Sequence, residues 1–208
     1  MSTSVKTSHR NLGTIFNLPN QLTTLRLLLS VVLFVLIVWE YYLSSMVLFI
    51  IAAGTDWLDG YYARKYSQVT TLGRILDPFA DKVIVCGTFI FLASIPAMTA
   101  EPWGLRAWMV VVIVGRELLV TALRSFIEER GSDFSAKMSG KLKMVLQCIA
   151  AGACLCFLHY PRLPGGRAAA PDWVWWVTIL STWSAVASTL YSGVVYVLVA
   201  VRLLRRET

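Results

Sequence analysis

Long apolar runs separated by short polar segments dominate the hydrophobic pattern of this chain. Six of these runs approach the length of about 20 residues that a helix needs to cross a bilayer. The first, fifth and sixth are apolar almost throughout, whereas the second, third and fourth are apolar in one half and charged in the other. The pattern therefore predicts an all-α integral membrane protein, a bundle of six transmembrane helices. The expected spans are 22–43, 45–66, 73–97, 105–129, 138–159 and 173–202.

The chain is expected to form one transmembrane domain over residues 19–208, preceded by a juxtamembrane segment over residues 1–18. That segment is polar with a few scattered large apolar residues. Such a segment forms either a short interfacial helix or a partly disordered tail, and the pattern leaves both alternatives open. The charged halves of the second to fourth spans should face the bundle interior or a wet cavity, because charge is costly in lipid.

The distribution of positive charge sets the expected orientation. The chain is 57% apolar and carries 19 Lys and Arg against 12 Asp and Glu, a net charge of +7. All of these cations except Arg106, Arg162 and Arg167 fall on the side of the termini or at helix ends next to it. The positive-inside rule makes that side cytoplasmic and accounts for the basic charge without a nucleic-acid partner. We therefore expect a multi-pass protein of the cell membrane with both termini in the cytoplasm.

Aromatic residues gather at the predicted outer ends of the helices. Tryptophan and tyrosine prefer the level of the lipid headgroups, so this arrangement predicts an interfacial belt. Its expected members are Trp39, Tyr41, Tyr42, Trp103, Trp108, Trp173, Trp175 and Trp176.

Four aspartates stand out in the charged halves of the second and third spans. Asp56 and Asp59 are three apart and Asp77 and Asp81 are four apart, so each pair shares one helix face. Four carboxylates in a membrane protein are expensive unless cations neutralise them. Oxygen-only ligands favour hard cations such as Mg²⁺ or Mn²⁺. Two carboxylate pairs could hold two such ions in the arrangement used in phosphoryl chemistry.

Small and basic residues accompany these aspartates. Gly60 follows Asp59 directly and Gly73 opens the third span, and a glycine lets a ligand approach the backbone closely. Arg64 lies five residues after Asp59, and its planar fork suits a pair of phosphate oxygens. Together these residues indicate a pyrophosphate-containing substrate at the membrane surface. A structural alternative, in which nearby Arg and Lys pair with the aspartates, accounts for one or two carboxylates and hardly for four.

These residues form the pattern D-x-x-D-G-x-x-A-R-x8-G-x3-D-x3-D with every spacing met, and the pattern resembles the signature of the CDP-alcohol phosphatidyltransferases. The eight positions are Asp56, Asp59, Gly60, Ala63, Arg64, Gly73, Asp77 and Asp81. Four further segments are similar to family members whose acceptor is sn-glycerol 3-phosphate. They are NLPNQLTTLR (17–26), LDPFADK (76–82), GRELLVTALR (115–124) and SGKLK (139–143).

The resemblance implies a membrane enzyme, usually a homodimer among membrane lipids, that transfers the phosphatidyl group of CDP-diacylglycerol to an alcohol and releases CMP. It implies sn-glycerol 3-phosphate as the alcohol and two divalent cations, Mg²⁺ or Mn²⁺, as cofactors. The implied metal ligands are Asp56, Asp59, Asp77 and Asp81, with Asp81 also the general base. The implied CDP-binding residues are Asp56, Asp59, Gly60, Arg64, Gly73 and Asp77, and Asn20 and Thr23 are further candidates for contact with the nucleotide.

A phosphorylated acceptor requires fixed positive charge, and four cations in the fourth and fifth spans are candidates. They are Arg116, Arg124, Lys141 and Lys143. Arg116 lies deep in its span, where an isolated cation costs several kcal/mol, so it needs a partner. Its neighbour Glu117 projects about 100° away on a helix, and the sequence leaves open whether it is that partner.

Other roles for these cations stay open as well. Lys141 and Lys143 could be interfacial anchors, and Arg124 could pair with Glu128 one turn later. Met144 occupies the position where the resembled enzymes commonly carry threonine.

Three other functions are weighed against this interpretation. Two lie within the family: a cardiolipin-type synthase with phosphatidylglycerol as acceptor, and an enzyme with an inositol phosphate acceptor. The third is a divalent-cation transporter that uses the aspartates as its pathway, which would not explain Gly60, Ala63, Arg64 and Gly73 at fixed spacing. The expected chemistry is direct in-line displacement at phosphorus, with a covalent carboxylate intermediate left open.

Overall fold

The computed structural model describes residues 18–66, 71–129, 138–161 and 169–204, and every regular element in these ranges is a helix. For residues 18–20, 22, 55–66, 71–78, 81, 128–129, 138–141 and 203–204 the description covers the backbone only. Six long helices appear in this part of the chain: α1 (Leu18–Val38), α2 (Tyr42–Tyr66), α3 (Thr71–Ser94), α5 (Ala107–Glu129), α6 (Met138–His159) and α7 (Asp172–Leu204). A single turn, α4 (Pro96–Thr99), lies between α3 and α5. The predicted all-α class is confirmed for the described residues.

The helix ends agree with the predicted spans within a few residues, and the largest difference is at the end of α1. The sequence predicts that this span continues to residue 43, but the helix stops at Val38. Glu40 adopts a left-handed conformation with φ of 62°. Its amide donates to the Ile37 carbonyl at 3.1 Å, and the Tyr41 amide donates to the Leu36 carbonyl at 2.9 Å. This is a Schellman cap, which normally contains glycine, so the sequence carries no signal for it.

α3 is the central helix of the described bundle, because it contacts α1, α2, α4, α5 and α6. Its close approach to α1 depends on Gly87, where an added Cβ would lie 2.2 Å from the Phe34 ring. That ring stacks on Phe91 of α3 with centroids 4.8 Å apart. α6 packs against α7 and α2, and α5 packs against α7. The helix that carries Asp77 and Asp81 therefore contacts every other described helix except α7.

Large apolar side chains cover the outside of the bundle as well as its core. On α1, Leu28, Val31, Val35 and Val38 form an exposed stripe at helical spacing. Comparable exposed stripes run along α2, α6 and α7. Soluble monomers rarely expose apolar patches of this extent, so the surface suits a lipid environment.

Two helices are long and apolar enough to cross a bilayer by length and composition: α6 over Leu142–His159 and α7 over Asp172–Arg202. Within the described residues, the apolar stretches Thr23–Val38, Tyr42–Gly54 and Lys82–Ser94 are shorter. The apolar stretch of the first predicted span is therefore shorter than expected, although it is longer than the apolar stretches of the half-charged helices α2 and α3. The count of six membrane spans stays a prediction.

Seven of the eight predicted belt residues fall into two groups in the structure, and the eighth, Tyr42, is half-buried against the core. Trp39, Tyr41, Trp108, Trp173 and Trp176 are exposed, as an interfacial position requires. Trp103 and Trp175 instead pack edge to face against each other, 5.0 Å between centroids, and each contacts Phe157. The latter two tryptophans close one end of the bundle core.

Candidate active site

The four aspartates predicted as metal ligands lie on two neighbouring helices. α2 carries Asp56 and Asp59, α3 carries Asp77 and Asp81, and the two helices are in contact. The structure describes the backbone of these residues, and the directions of their side chains lie outside the described part. Helical spacing places each pair on one face of its helix.

The other motif residues occupy the same two helices. Gly60 and Arg64 follow the first aspartate pair on α2, and Gly73 lies in the first turn of α3. Among the side chains that the structure describes, no group of three or more His, Cys, Asp or Glu is placed to hold a metal. The four aspartates are not among those side chains, and a donor set made only of carboxylates fits a hard divalent cation.

α1 brings polar side chains into the bundle beside α3. Thr23 and Arg26 are both buried, each with 4% of its surface exposed. They belong to the segment NLPNQLTTLR that the sequence analysis associates with the nucleotide, whereas Asn20 lies outside the residues with described side chains. A buried arginine needs compensating charge or hydrogen bonds, so this position favours a role in binding an anion or in an internal ion pair.

Three charged side chains meet between α5 and α6, which both pack against α3 and α7. We call these residues the Glu117 cluster: Arg116, Glu117 and Lys143. The Glu117 carboxylate accepts a hydrogen bond from Arg116 Nη1 at 3.3 Å and forms an ion pair with Lys143 Nζ. All three side chains are buried, with between 6% and 11% of their surface exposed. Glu117 is therefore the partner of Arg116 that the sequence left open. Because the Lys143 side chain is also buried, the alternative role of Lys143 as an interfacial anchor is excluded.

α7 holds this cluster in place through hydroxyl and aromatic side chains. Arg116 Nε donates to Ser192 Oγ at 3.0 Å, and the guanidinium lies over the Tyr196 ring, 5.2 Å from its centroid. One turn after Lys143, Gln147 Nε2 donates to Thr189 Oγ1 at 3.1 Å. The cluster is thus braced by three helices.

The other two predicted acceptor cations are less well defined. Arg124 lies two turns after Arg116 and is half-buried, and its Nε is buried without a hydrogen-bond partner among the described residues. Its suggested partner Glu128 and the candidate Lys141 have side chains outside the described part. The structure therefore joins Arg116 and Lys143 in one cluster, while the roles of Arg124 and Lys141 stay predictions.

Sequence reasoning assigned no role to Gln147, Thr189, Ser192 or Tyr196. The sequence does contain a pattern that points to the α7 residues, because Ser and Thr recur at helical spacing along this apolar helix. The buried ones are Thr178, Ser181, Thr182, Thr189 and Ser192. A polar stripe on a membrane helix normally faces other helices and not lipid.

An apolar groove of about 690 Å³ runs between α2, α6 and α7. Ala53 and Gly54 line it on α2, immediately before the first aspartate pair, and Trp173 and Val174 line it near the start of α7. The groove therefore extends from near the aspartate end of α2 to the start of α7.

Comparison with known proteins agrees with the motif. The family model for CDP-alcohol phosphatidyltransferase matches residues 16–191. A relative from Bacillus subtilis (strain 168), named CDP-diacylglycerol–glycerol-3-phosphate 3-phosphatidyltransferase, is 37% identical over 193 residues, covering 86% of this chain and 92% of the relative. Relatives with the same name from Blochmanniella floridana and Shigella flexneri serotype 5b (strain 8401) are 29% and 30% identical. They cover 88% and 87% of this chain, and 90% and 93% of their own lengths. The chain therefore belongs to the CDP-alcohol phosphatidyltransferase family.

Proposed function

We propose that this protein transfers the phosphatidyl group of CDP-diacylglycerol to sn-glycerol 3-phosphate, giving phosphatidylglycerophosphate and CMP. The observation that carries the proposal is the 37% identity, over 86% of this chain, to the Bacillus subtilis relative whose name states this reaction. The matched family region, residues 16–191, includes all four aspartates and the Glu117 cluster. The protein is accordingly a membrane transferase of phospholipid biosynthesis.

The aspartates form the reaction centre of this proposal. Asp56, Asp59, Asp77 and Asp81 would hold two divalent cations, Mg²⁺ or Mn²⁺, which when bound neutralise negative charge on the pyrophosphate and on the departing CMP. Support comes from their position on two contacting helices. Four carboxylates so close in sequence in a membrane protein require counter-charge, and hard cations would supply it.

The chemical step needs a base and an aligned acceptor. The Asp81 carboxylate takes the proton of the acceptor hydroxyl while that oxygen forms a bond to the phosphorus bearing diacylglycerol. The bond from this phosphorus to the bridging oxygen breaks, and its electron pair leaves with CMP. Gly60 and Gly73 would let the nucleotide approach the backbone closely, and the planar guanidinium of Arg64 would donate hydrogen bonds to two oxygens of the pyrophosphate.

The two substrates would meet from different sides of this centre. Arg116, Arg124, Lys141 and Lys143 would receive the phosphate of sn-glycerol 3-phosphate, and the position of Lys143 and Arg116 in one buried cluster supports this role. The apolar groove between α2, α6 and α7 would receive an acyl chain of CDP-diacylglycerol, because it begins beside Asp56 and is lined by apolar residues. We place this centre at the cytoplasmic side of a six-span homodimer.

A panel of acceptors tests the proposal. The purified protein in detergent, with Mg²⁺ or Mn²⁺ and CDP-diacylglycerol, is offered glycerol 3-phosphate, inositol phosphate, phosphatidylglycerol or serine, and CMP release is measured. We expect release with glycerol 3-phosphate. Release with inositol phosphate or phosphatidylglycerol alone would favour the alternatives within the family. No release with any acceptor, together with divalent-cation flux in vesicles, would favour a transporter.

The carboxylates have their own test. Asp77→Asn and Asp81→Asn each remove one negative charge with little change in shape, so we expect CMP release to fall at least 100-fold if these groups hold metal and accept the proton. Addition of EDTA to the wild-type protein should abolish release, and excess Mg²⁺ should restore it. Full activity of either variant would contradict the assigned roles.

A further inference from the structure

Glu117 is an anion buried between two cations, and the reaction as described gives it no part. It has 8% of its surface exposed, and its carboxylate contacts both Arg116 and Lys143. Arg116 belongs to α5 and Lys143 to α6, so one carboxylate joins the two helices that supply the acceptor cations. Removal of such a partner leaves buried charge uncompensated and is strongly unfavourable.

The charges of the cluster do not balance within the residues that the structure describes. Two cations share one carboxylate, and the other contacts of Arg116 are to a neutral hydroxyl and an aromatic ring. A buried surplus of positive charge favours the binding of an anion. Acceptor phosphate would supply that anion, with the cations already desolvated and fixed.

The cluster also lies next to the helix that carries the second aspartate pair. The Cys86 thiol of α3 is within electrostatic range of Glu117, Lys143 and Lys82. Cys86 follows Asp81 by five residues, a rise of about 7.5 Å along the helix. Phosphate held at the cluster would therefore lie beside α3, about one and a half turns along that helix from Asp81.

We propose that Glu117 is a positioning residue that orients Lys143 and Arg116 toward the phosphate of the acceptor. It does not itself contact substrate. The inference rests on the proposed transfer to glycerol 3-phosphate and deepens it by naming the residue that organises the acceptor site. Ser192, Tyr196 and the Gln147–Thr189 hydrogen bond fix the same cluster from α7.

Steady-state kinetics of Glu117→Gln test this role. The substitution keeps the shape and removes the charge, so the KM for glycerol 3-phosphate should rise about tenfold or more, the value of one charge-assisted hydrogen bond. The KM for CDP-diacylglycerol should stay unchanged, and Glu117→Asp should restore part of the loss. Glu101→Gln is the matched control, because Glu101 has the same 8% exposure but lies between α4 and α5, away from the cluster.

A double variant separates positioning from a merely structural role. In Glu117→Gln with Lys143→Met, Arg116 is the one cation of the cluster left without its carboxylate, and Ser192 still binds it, so the melting temperature should recover part of the loss. The KM for glycerol 3-phosphate should stay high, because Lys143 no longer reaches the phosphate. A wild-type KM in the double variant would overturn the positioning role. Absence of turnover with glycerol 3-phosphate in the wild-type protein would overturn the proposed function itself.

Discussion

At the scale of single residues, the side chains with defined geometry show why an arginine stands at position 116. Its Nε binds Ser192, its Nη1 binds Glu117, and its plane lies over Tyr196. A lysine could keep the charge but not three differently directed contacts, since only a guanidinium has a planar fork. The residue type is therefore set by the orientation of the group and not by charge alone.

We predict that Arg116→Lys raises the KM for glycerol 3-phosphate about five- to tenfold, because the hydrogen bonds of the planar guanidinium are lost while the charge remains. The kcat should change less than the KM. Arg106→Lys makes the same substitution at an exposed arginine before α5 and should leave both parameters unchanged. Equal kinetics of the two variants, measured by CMP release, would show that orientation at position 116 is unimportant.

The left-handed backbone conformation of Glu40 gives a prediction about the stability of the protein. A non-glycine residue in the left-handed region costs about 1–2 kcal/mol, and Glu40 has φ of 62°. Glu40→Gly should remove that strain and raise the melting temperature in detergent. Glu40→Ala loses the same charge but keeps a Cβ, so it should show no comparable gain. A larger gain for alanine than for glycine would indicate that charge, and not backbone strain, governs this turn.

At the scale of helices, the sequence predicts well where helices form, and predicts poorly where they end and how their side chains pack. Apolar runs locate all six long helices, but the end of α1 depends on a cap formed by a glutamate, which has no turn signature. Trp103 and Trp175 are predicted as belt residues from their positions near the outer helix ends, and only their packing against each other and Phe157 reveals a core role.

The same limit applies to the candidate site. Fixed spacing identifies Asp56, Asp59, Asp77 and Asp81 within one segment of the chain. The Glu117 cluster escapes this reasoning, because Glu117 and Lys143 are 26 residues apart and meet only when α5 and α6 both pack against α3 and α7. Contacts between distant segments are set by tertiary packing, which local periodicity does not encode.

The contact between α1 and α3 gives a prediction at the same scale. Gly87→Ala would place a Cβ 2.2 Å from the Phe34 ring, which is held by stacking on Phe91. Displacement of that ring should cost about 1–3 kcal/mol, seen as a lower melting temperature.

Two further variants control this measurement. Gly152→Ala meets no atom within 4 Å and should be tolerated. Phe34→Leu, combined with Gly87→Ala, should recover part of the loss because the smaller side chain leaves room. Equal melting temperatures for the two alanine variants would contradict close packing at Gly87.

At the scale of the whole molecule, α7 provides the clearest test of how the bundle sits in the membrane. Its 33 residues extend over about 50 Å, longer than a hydrocarbon core of about 30 Å, so both ends should emerge from the bilayer. Exposed Trp173 and Trp176 mark one end, and Arg202 marks the other. Aromatic residues favour either interface, whereas the cation favours the cytoplasmic one.

Cysteine labelling in intact cells distinguishes the two ends. A membrane-impermeant maleimide should label Asp172→Cys in intact cells, and should label Arg202→Cys only after permeabilisation. The unmodified protein controls for the native cysteines, of which Cys86 and Cys154 are buried and Cys148 and Cys156 are half-buried. Labelling of Arg202→Cys alone in intact cells would invert the proposed orientation. Labelling of both in intact cells would mean that α7 does not cross the bilayer.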